Sequence, residues 1–162
     1  GVPAVRRLLE AQGIPVLENQ AVRLVKDGRP FWLAGLGDQQ PFLNAWSTFS
    51  LADLPRTLQA ITDTAPVILM AHEPDIFATV PDRVSLTLAG HTHGGQVRLF
   101  GHAPAIRKVR GHDYSYGHVV QDGRHMIVSG GFGMSRNPVR MGVPAEIGIL
   151  ELGKTETPTA AS

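Results

Sequence analysis

Cysteine is absent from all 162 residues, which excludes a disulfide framework and any thiolate metal site and leaves the redox compartment open. No apolar run approaches the roughly 18 residues of a membrane span, and no charged-then-apolar leader is visible. Charge of one sign is also lacking. Fifteen Lys and Arg against fourteen Asp and Glu leave a formal net charge of +1, so electrostatics make no case for nucleic acid or an anionic membrane as a partner. Repeats and low-complexity tracts are missing too. What remains is a chain with 43% hydrophobic residues, which at this length is expected to form a single domain burying about two thirds of its unfolded surface.

The most informative stretch is Gly90-His91-Thr92-His93-Gly94-Gly95-Gln96. Leu86-Thr87-Leu88-Ala89 before it reads as a short buried strand, so the two histidines fall where a strand passes into a loop. In an extended backbone alternate side chains share a face, which would send both imidazoles to the same side. Gly90, Gly94 and Gly95 supply a supporting loop whose backbone can come close to an ion or a phosphate oxygen. A bare His-x-His is equally met at exposed strand ends. A third histidine strengthens the metal reading. Pro66 to Ala71 is a continuous apolar run with β-branched residues, the signature of a buried parallel strand, and His72 stands at its carboxyl end. Glu73-Pro74-Asp75 then suggests that a helix begins near Asp75.

Elsewhere the pattern is coarser. Val2, Val5, Leu8 and Leu9 recur at helical intervals before Gly13, giving a first short helix, and Ile14 to Leu17 reads as strand or loop. Ala21 to Val25 and Phe31 to Ala34 flank Asp27-Gly28 as a hairpin with a slightly long loop. Residues 39–49 read as a loop, and Asp53 is a plausible cap for a helix carrying Leu54, Leu58 and Ile61 with Pro55 in its first turn. After Gln96 the chain is loop-like through His112, with Arg98, Arg107, Lys108 and Arg110 read as a solvated face. Tyr116 to Gln121 and Arg124 to Ser129 flank Asp122-Gly123, which favours a type I′ turn. That register sets His118 and His125 diagonally on one face, a pairing that offers two metal ligands where three or four are needed. His102 and His112 are loop histidines without an assigned role. Glu146 to Leu152 alternates like a closing strand.

The segments Leu69-Met70-Ala71-His72-Glu73-Pro74-Asp75 and Gly90 to Gln96 resemble the last two metal motifs of the calcineurin-like metallophosphoesterases. The glycine pair with Gln96, and the tail from Ser129 through Arg140 with Pro144-Ala145-Glu146-Ile147, resemble its bacterial YaeI/YkuE-like phosphodiesterase branch. The Asp-x-His, Gly-Asp and Gly-Asn-His motifs that precede these segments in that family are not found in this sequence. Gly35-Leu36-Gly37-Asp38 lies on the wrong side of the opening helix to be the Gly-Asp motif, and Asp38 is read as a loop residue.

The resemblance implies an α/β fold: the carboxyl-terminal half of a four-layer α/β/β/α sandwich, a mixed sheet with two hairpins. Residues 1–152 would be part of the domain and residues 153–162 a flexible tail. It implies a metal-dependent hydrolase of phosphate monoesters or diesters whose binuclear site is completed by an amino-terminal half. His72 and His91 would hold one divalent ion and His93 the other, with Glu73 and Asp75 as candidates for the surrounding shell and no catalytic acid in this chain. Manganese, iron and zinc all suit imidazole and carboxylate donors; three imidazoles alone imply at most weak or single-ion binding and little activity. The partner is a phosphate-ester substrate. Strands deprived of neighbours are expected to drive self-association or pairing with the other half. The expected location is cytoplasmic or peripheral to the inner membrane, any membrane contact coming from a preceding segment. The alternative is a non-catalytic metal-binding scaffold or protein-interaction fragment.

Overall fold

The computed structural model describes residues 2–39, 51–104, 109, 111–135 and 138–153. Its centre is one six-stranded sheet with strand order β1-β2-β3-β4-β6-β5, built from β1 (Gln20–Lys26), β2 (Arg29–Gly35), β3 (Val67–Met70), β4 (Leu86–Ala89), β5 (Gly117–Gln121) and β6 (Arg124–Val128). Helices α1 (Val2–Ala11) and α2 (Leu54–Gln59) and two short 3₁₀ segments, Pro74–Thr79 and His93–Gly95, complete the described elements. Among the described residues no helix is long and apolar enough to cross a membrane.

Two hairpins frame the sheet. In the first, Lys26 pairs with Arg29, so the connection is only Asp27 and Gly28, at φ 50° and 71°. The turn is tighter than expected because Asp27 accepts the left-handed conformation, for which Asp, Asn and Gly are the suitable residues. The second hairpin has the expected register, Gln121 opposite Arg124, with Asp122 and Gly123 at φ 51° and 76°.

Between the hairpins β2, β3, β4 and β6 run parallel. Their side chains explain the order: Val67 and Leu69 of β3 are fully buried, joined in the core by Trp32 and Ala34 of β2 and Met126 and Val128 of β6. Phe77, from the first 3₁₀ segment, and Leu54 of α2 close over the same cluster. Asp53 caps α2 as expected, its Oδ1 accepting the Arg56 amide at 3.0 Å, although the helix ends before Ile61. The outermost strands are β1 and β5, the outer members of the hairpins, and the apolar β3 and β4 are internal.

The helix expected near Asp75 is a 3₁₀ segment beginning at Pro74, and of the two readings of Ile14 to Leu17 the loop holds. One local expectation is corrected. Glu146 to Leu152 is not a strand: it runs beside the sheet without a ladder, with Ile147 and Ile149 exposed. Alternation alone could not distinguish an extended strap from a paired strand, since pairing requires a free neighbouring edge. The loop expected at 39–49, apart from Gln39, and the tail beyond Gly153 lie outside the described residues.

Candidate metal centre

Because β2, β3, β4 and β6 are parallel, the loops that follow them open on one rim of the sheet, where α/β proteins commonly place chemistry. The ladder continues into those loops: the Leu36 amide bonds Met70 O at 3.0 Å, Ala71 N bonds Leu88 O at 2.9 Å, Gly90 N bonds His72 O at 3.0 Å and Ser129 N bonds Ala89 O at 2.9 Å. His72 is thus tethered directly to the start of the glycine-histidine loop. The rings of His72 and His91 meet edge to face with centroids 4.9 Å apart.

A carboxylate joins them. His72, Glu73 and His91 each offer a ligand atom within 4.8 Å of the others. Glu73 is buried at 3% exposure, and His72 and His91 are exposed. One carboxylate oxygen, Oε2, accepts the Gln39 amide at 3.1 Å, and the Glu73 carbonyl accepts the Gln39 side-chain amide at 2.6 Å. The other oxygen, Oε1, has no hydrogen-bond partner among the described residues and lies 4.0 Å from His91 Nδ1. A buried carboxylate oxygen without a donor is costly unless a cation meets it, so the donor set suits a divalent ion. Asp75, the other acidic candidate, is exposed and outside this group. Glu73 is legible in the sequence only as an acidic residue beside a strand-end histidine; its direction depends on Gln39, which is distant along the chain.

His93 is placed differently. The premise of an extended His-x-His does not hold, because His91 and His93 take φ 66° and 51° and β4 stops at Ala89. The backbone curls into a 3₁₀ turn in which Gly95 N bonds Thr92 O and Gln96 N bonds His93 O. His93 Nδ1 lies 3.2 Å from Gln96 Oε1, and the same oxygen accepts the Ser135 amide at 2.8 Å. A backbone N–H can only donate, so this atom is the amide oxygen and His93 Nδ1 is the protonated nitrogen. The Nε2 lone pair is left to act as a ligand, with Gln96 fixing the tautomer from outside. His93 is not part of the His72, Glu73, His91 group.

The glycine frame is explained by what presses on it. A Cβ on Gly94, at φ +62°, would stand 2.6 Å from Val143 Cγ1 and 3.2 Å from Tyr116 Cδ2. Gly95 also has positive φ, whereas Gly90 does not and has open space around it. Thr92 Oγ donates to Ser115 O at 2.6 Å. Arg98 is not the solvated residue expected: it donates to Gly94 O at 3.2 Å, Ser115 Oγ at 2.9 Å and Gly101 O at 2.7 Å, bracing the back of the loop. Arg107, Lys108 and Arg110 lie outside the described residues. Arg140 likewise gathers the tail, donating to Gly130 O, Gly133 O, Val143 O and Pro144 O.

The remaining histidines stand apart. His118 Nε2 and His125 Nδ1 are 3.0 Å apart on the exposed face of the second hairpin, where they hydrogen-bond to each other. His112 stacks on Tyr114 with ring centroids 5.9 Å apart, and His102 bridges to Leu99 in an exposed turn.

An α/β sheet that gathers imidazole and carboxylate donors at the ends of its parallel strands has a layout suited to holding a divalent metal ion. The chain is 32% identical over 157 residues to the uncharacterized metallophosphoesterase YkuE of Bacillus subtilis, covering 96% of this chain and 52% of that protein. It is 32% identical over 145 residues to phosphodiesterase YaeI of Escherichia coli, covering 89% and 49%. Over 144 residues it is 28% identical to an uncharacterized metallophosphoesterase of Aquifex aeolicus, covering 89% and 52%. No family model and no solved structure matches the chain. Across 89–96% of its length the chain is similar to proteins named metallophosphoesterase or phosphodiesterase. It spans about half the length of the curated relatives it matches.

Proposed function

We propose that the full protein is a metal-dependent hydrolase of phosphate esters, phosphodiesters foremost, and that this chain contributes the carboxyl-terminal part of its binuclear site. The observation that carries this reading is the convergence of His72, Glu73 and His91 at the rim, beside His93 with its tautomer set by Gln96. The names of the relatives, one of them a phosphodiesterase, point the same way. In this reading His72 and His91 hold one ion and His93 faces the other, and the remaining ligands come from a preceding part of a four-layer sandwich, with residues 1–152 as the carboxyl-terminal part of the domain. Manganese, iron and zinc fit these donors. Bound divalent ions would supply a hydroxide at neutral pH and neutralise the phosphoryl oxygens. The protein's own residues orient the imidazoles: Gln96 holds His93, and the Gly90 amide on His72 O fixes the spacing of the two loops.

The test is hydrolysis of bis(p-nitrophenyl) phosphate by the full-length protein supplied with manganese or zinc. Turnover that chelation abolishes, and that His91→Ala lowers at least about a hundredfold, is expected for a residue holding the catalytic ion. Stoichiometric metal without turnover on phosphodiesters or monoesters would overturn the enzymatic reading in favour of a scaffold.

A further inference from the structure

Glutamate is almost never fully buried unless something answers its charge. Glu73 is 3% exposed, and the partners it has are unequally shared between its two oxygens. Gln39 takes the residue from two sides, donating its backbone N–H to Oε2 and its side-chain amide to the Glu73 carbonyl. With Oε2 taken by Gln39, Oε1 is left buried, without a donor among the described residues, and beside His91. At 4.0 Å the Oε1 to Nδ1 separation is too long for a hydrogen bond. It is on the scale of two donors on opposite sides of one ion, each at about 2.0–2.2 Å.

We propose that Glu73 is itself a ligand, binding through Oε1 the ion that His72 and His91 hold, and that Gln39 is the positioning residue that aims it. The inference rests on the metal reading of the rim but not on the reaction assigned to it. It changes what this chain can do alone. Two imidazoles and a carboxylate form a three-donor set for one transition-metal ion, so single-ion affinity is higher than the histidines by themselves would give. It also explains why an acidic residue stands between a strand-end histidine and Pro74: the proline starts the 3₁₀ segment, and its fixed φ stiffens the exit from the site.

The experiment is a cobalt(II) titration of the purified chain, following the visible ligand-field bands, with competition by a chelator for affinity. The wild-type chain is expected to bind one equivalent. Glu73→Gln, which keeps the shape and removes the charge, is expected to weaken binding about a hundredfold and alter the bands; Gln39→Ala, which keeps the backbone N–H on Oε2 and removes the side-chain bond to the Glu73 carbonyl, is expected to weaken it about tenfold. Metal-free Glu73→Gln should unfold at the same or higher temperature than wild type, because an uncompensated buried charge has been removed, yet lose the metal-induced rise in Tm. Glu73→Asp, which retains the carboxylate, gives a second test should Glu73→Gln not fold, and is expected to recover part of the affinity. Wild-type affinity and spectrum in Glu73→Gln, alongside lost binding in His72→Ala, would overturn the proposal and leave the metal reading standing. A wild-type chain that binds no cobalt would overturn it as well. Glutamate-dependent metal binding without phosphoester turnover in the full protein would instead sink the hydrolase reading alone.

Discussion

Tyr116 donates its hydroxyl to Glu146 Oε2 at 2.6 Å, across thirty residues of sequence. The other oxygen of Glu146 accepts the Gly130 amide at 2.8 Å, so one carboxylate ties the strap after Val143 to the loop that follows β6. The same Tyr116 ring packs on Gly94. The Tyr116 side chain therefore links the strap to the histidine loop.

Removing that tie should loosen the strap. The Tyr116 hydroxyl and then the Gly130 amide hold the Glu146 carboxyl below its ordinary range, and the carboxylate in turn raises the Tyr116 phenol. A depressed carboxyl stabilises the fold above its unfolded pKa of about 4.3 and loses that effect as pH falls through the depressed value; a raised phenol stabilises below about 10 and loses it above. Glu146→Ala is expected to cost about 1 kcal/mol near neutral pH, measured by urea denaturation, with a smaller deficit at pH 3. An equal deficit at both pH values would mean that charge contributes nothing here.

Gly94→Ala asks whether the loop depends on the absence of a Cβ. The added methyl meets Val143 Cγ1 at 2.6 Å on a residue with φ +62°. Overpacking of this kind costs about 1–3 kcal/mol, and the left-handed backbone adds to it. Metal affinity should fall with stability, because the loop that carries His91 and His93 has to shift. Gly90→Ala, with open space and no positive φ, is the control and should change the denaturation midpoint little.

Asp63 joins elements that are far apart in sequence. Its Oδ1 accepts Trp32 Nε1 at 2.8 Å and its Oδ2 accepts Arg23 Nε at 2.8 Å. These bonds, the one from Trp32 foremost, bring its pKa to about 2. The group is depressed below its unfolded value of about 3.9, so its contribution is complete above pH 4 and disappears as pH drops through 2. Asp63→Ala should lower Tm at pH 7, and the gap from wild type should close between pH 4 and pH 2. A gap that stays constant down to pH 2 would assign the effect to packing.

His91 and His93 should behave differently in this chain, although they are separated by one residue. His91 is grouped with His72 and Glu73, and His93 is not. His91→Ala is expected to abolish single-ion binding by the chain; His93→Ala should retain it within about threefold, an outer-sphere effect at most. Calorimetric titration with zinc decides this, and equal losses would mean that all three histidines face one ion.

Phe77 tests the core below the site. It is fully buried, meets Tyr114 edge to face with centroids 5.8 Å apart and lies under the Arg124 guanidinium. Phe77→Ala is expected to cost about 3–5 kcal/mol, seen as a lower urea midpoint. A loss below about 1 kcal/mol would show that the 3₁₀ segment is peripheral to folding.

Both hairpins were legible because Asp-Gly is a local device: φ > 0 at two successive residues is a property of those residues, whatever surrounds them. Strands β3 and β4 were legible for a related reason, since short β-branched or leucine-rich runs bounded by turn residues rarely suit anything else. The strap at Glu146 to Leu152 misled because alternation describes a side chain's surroundings and not a hydrogen-bonded neighbour. The expectation that His91 and His93 share a side fails because the extended geometry assumed for His-x-His ends at Ala89.

What the amino-acid order determined by itself was therefore local: where the chain turns, which short segments are strands, that histidines stand at two strand ends, and the resemblance those histidines carry. Tertiary structure decided which ends meet. Parallel pairing of β3 with β4 brings His72 beside His91, and Gln39 against Glu73 satisfies one carboxylate oxygen and leaves the other without a donor among the described residues. Both follow from contacts between segments tens of residues apart, whose energies depend on three-dimensional neighbours that no local pattern specifies.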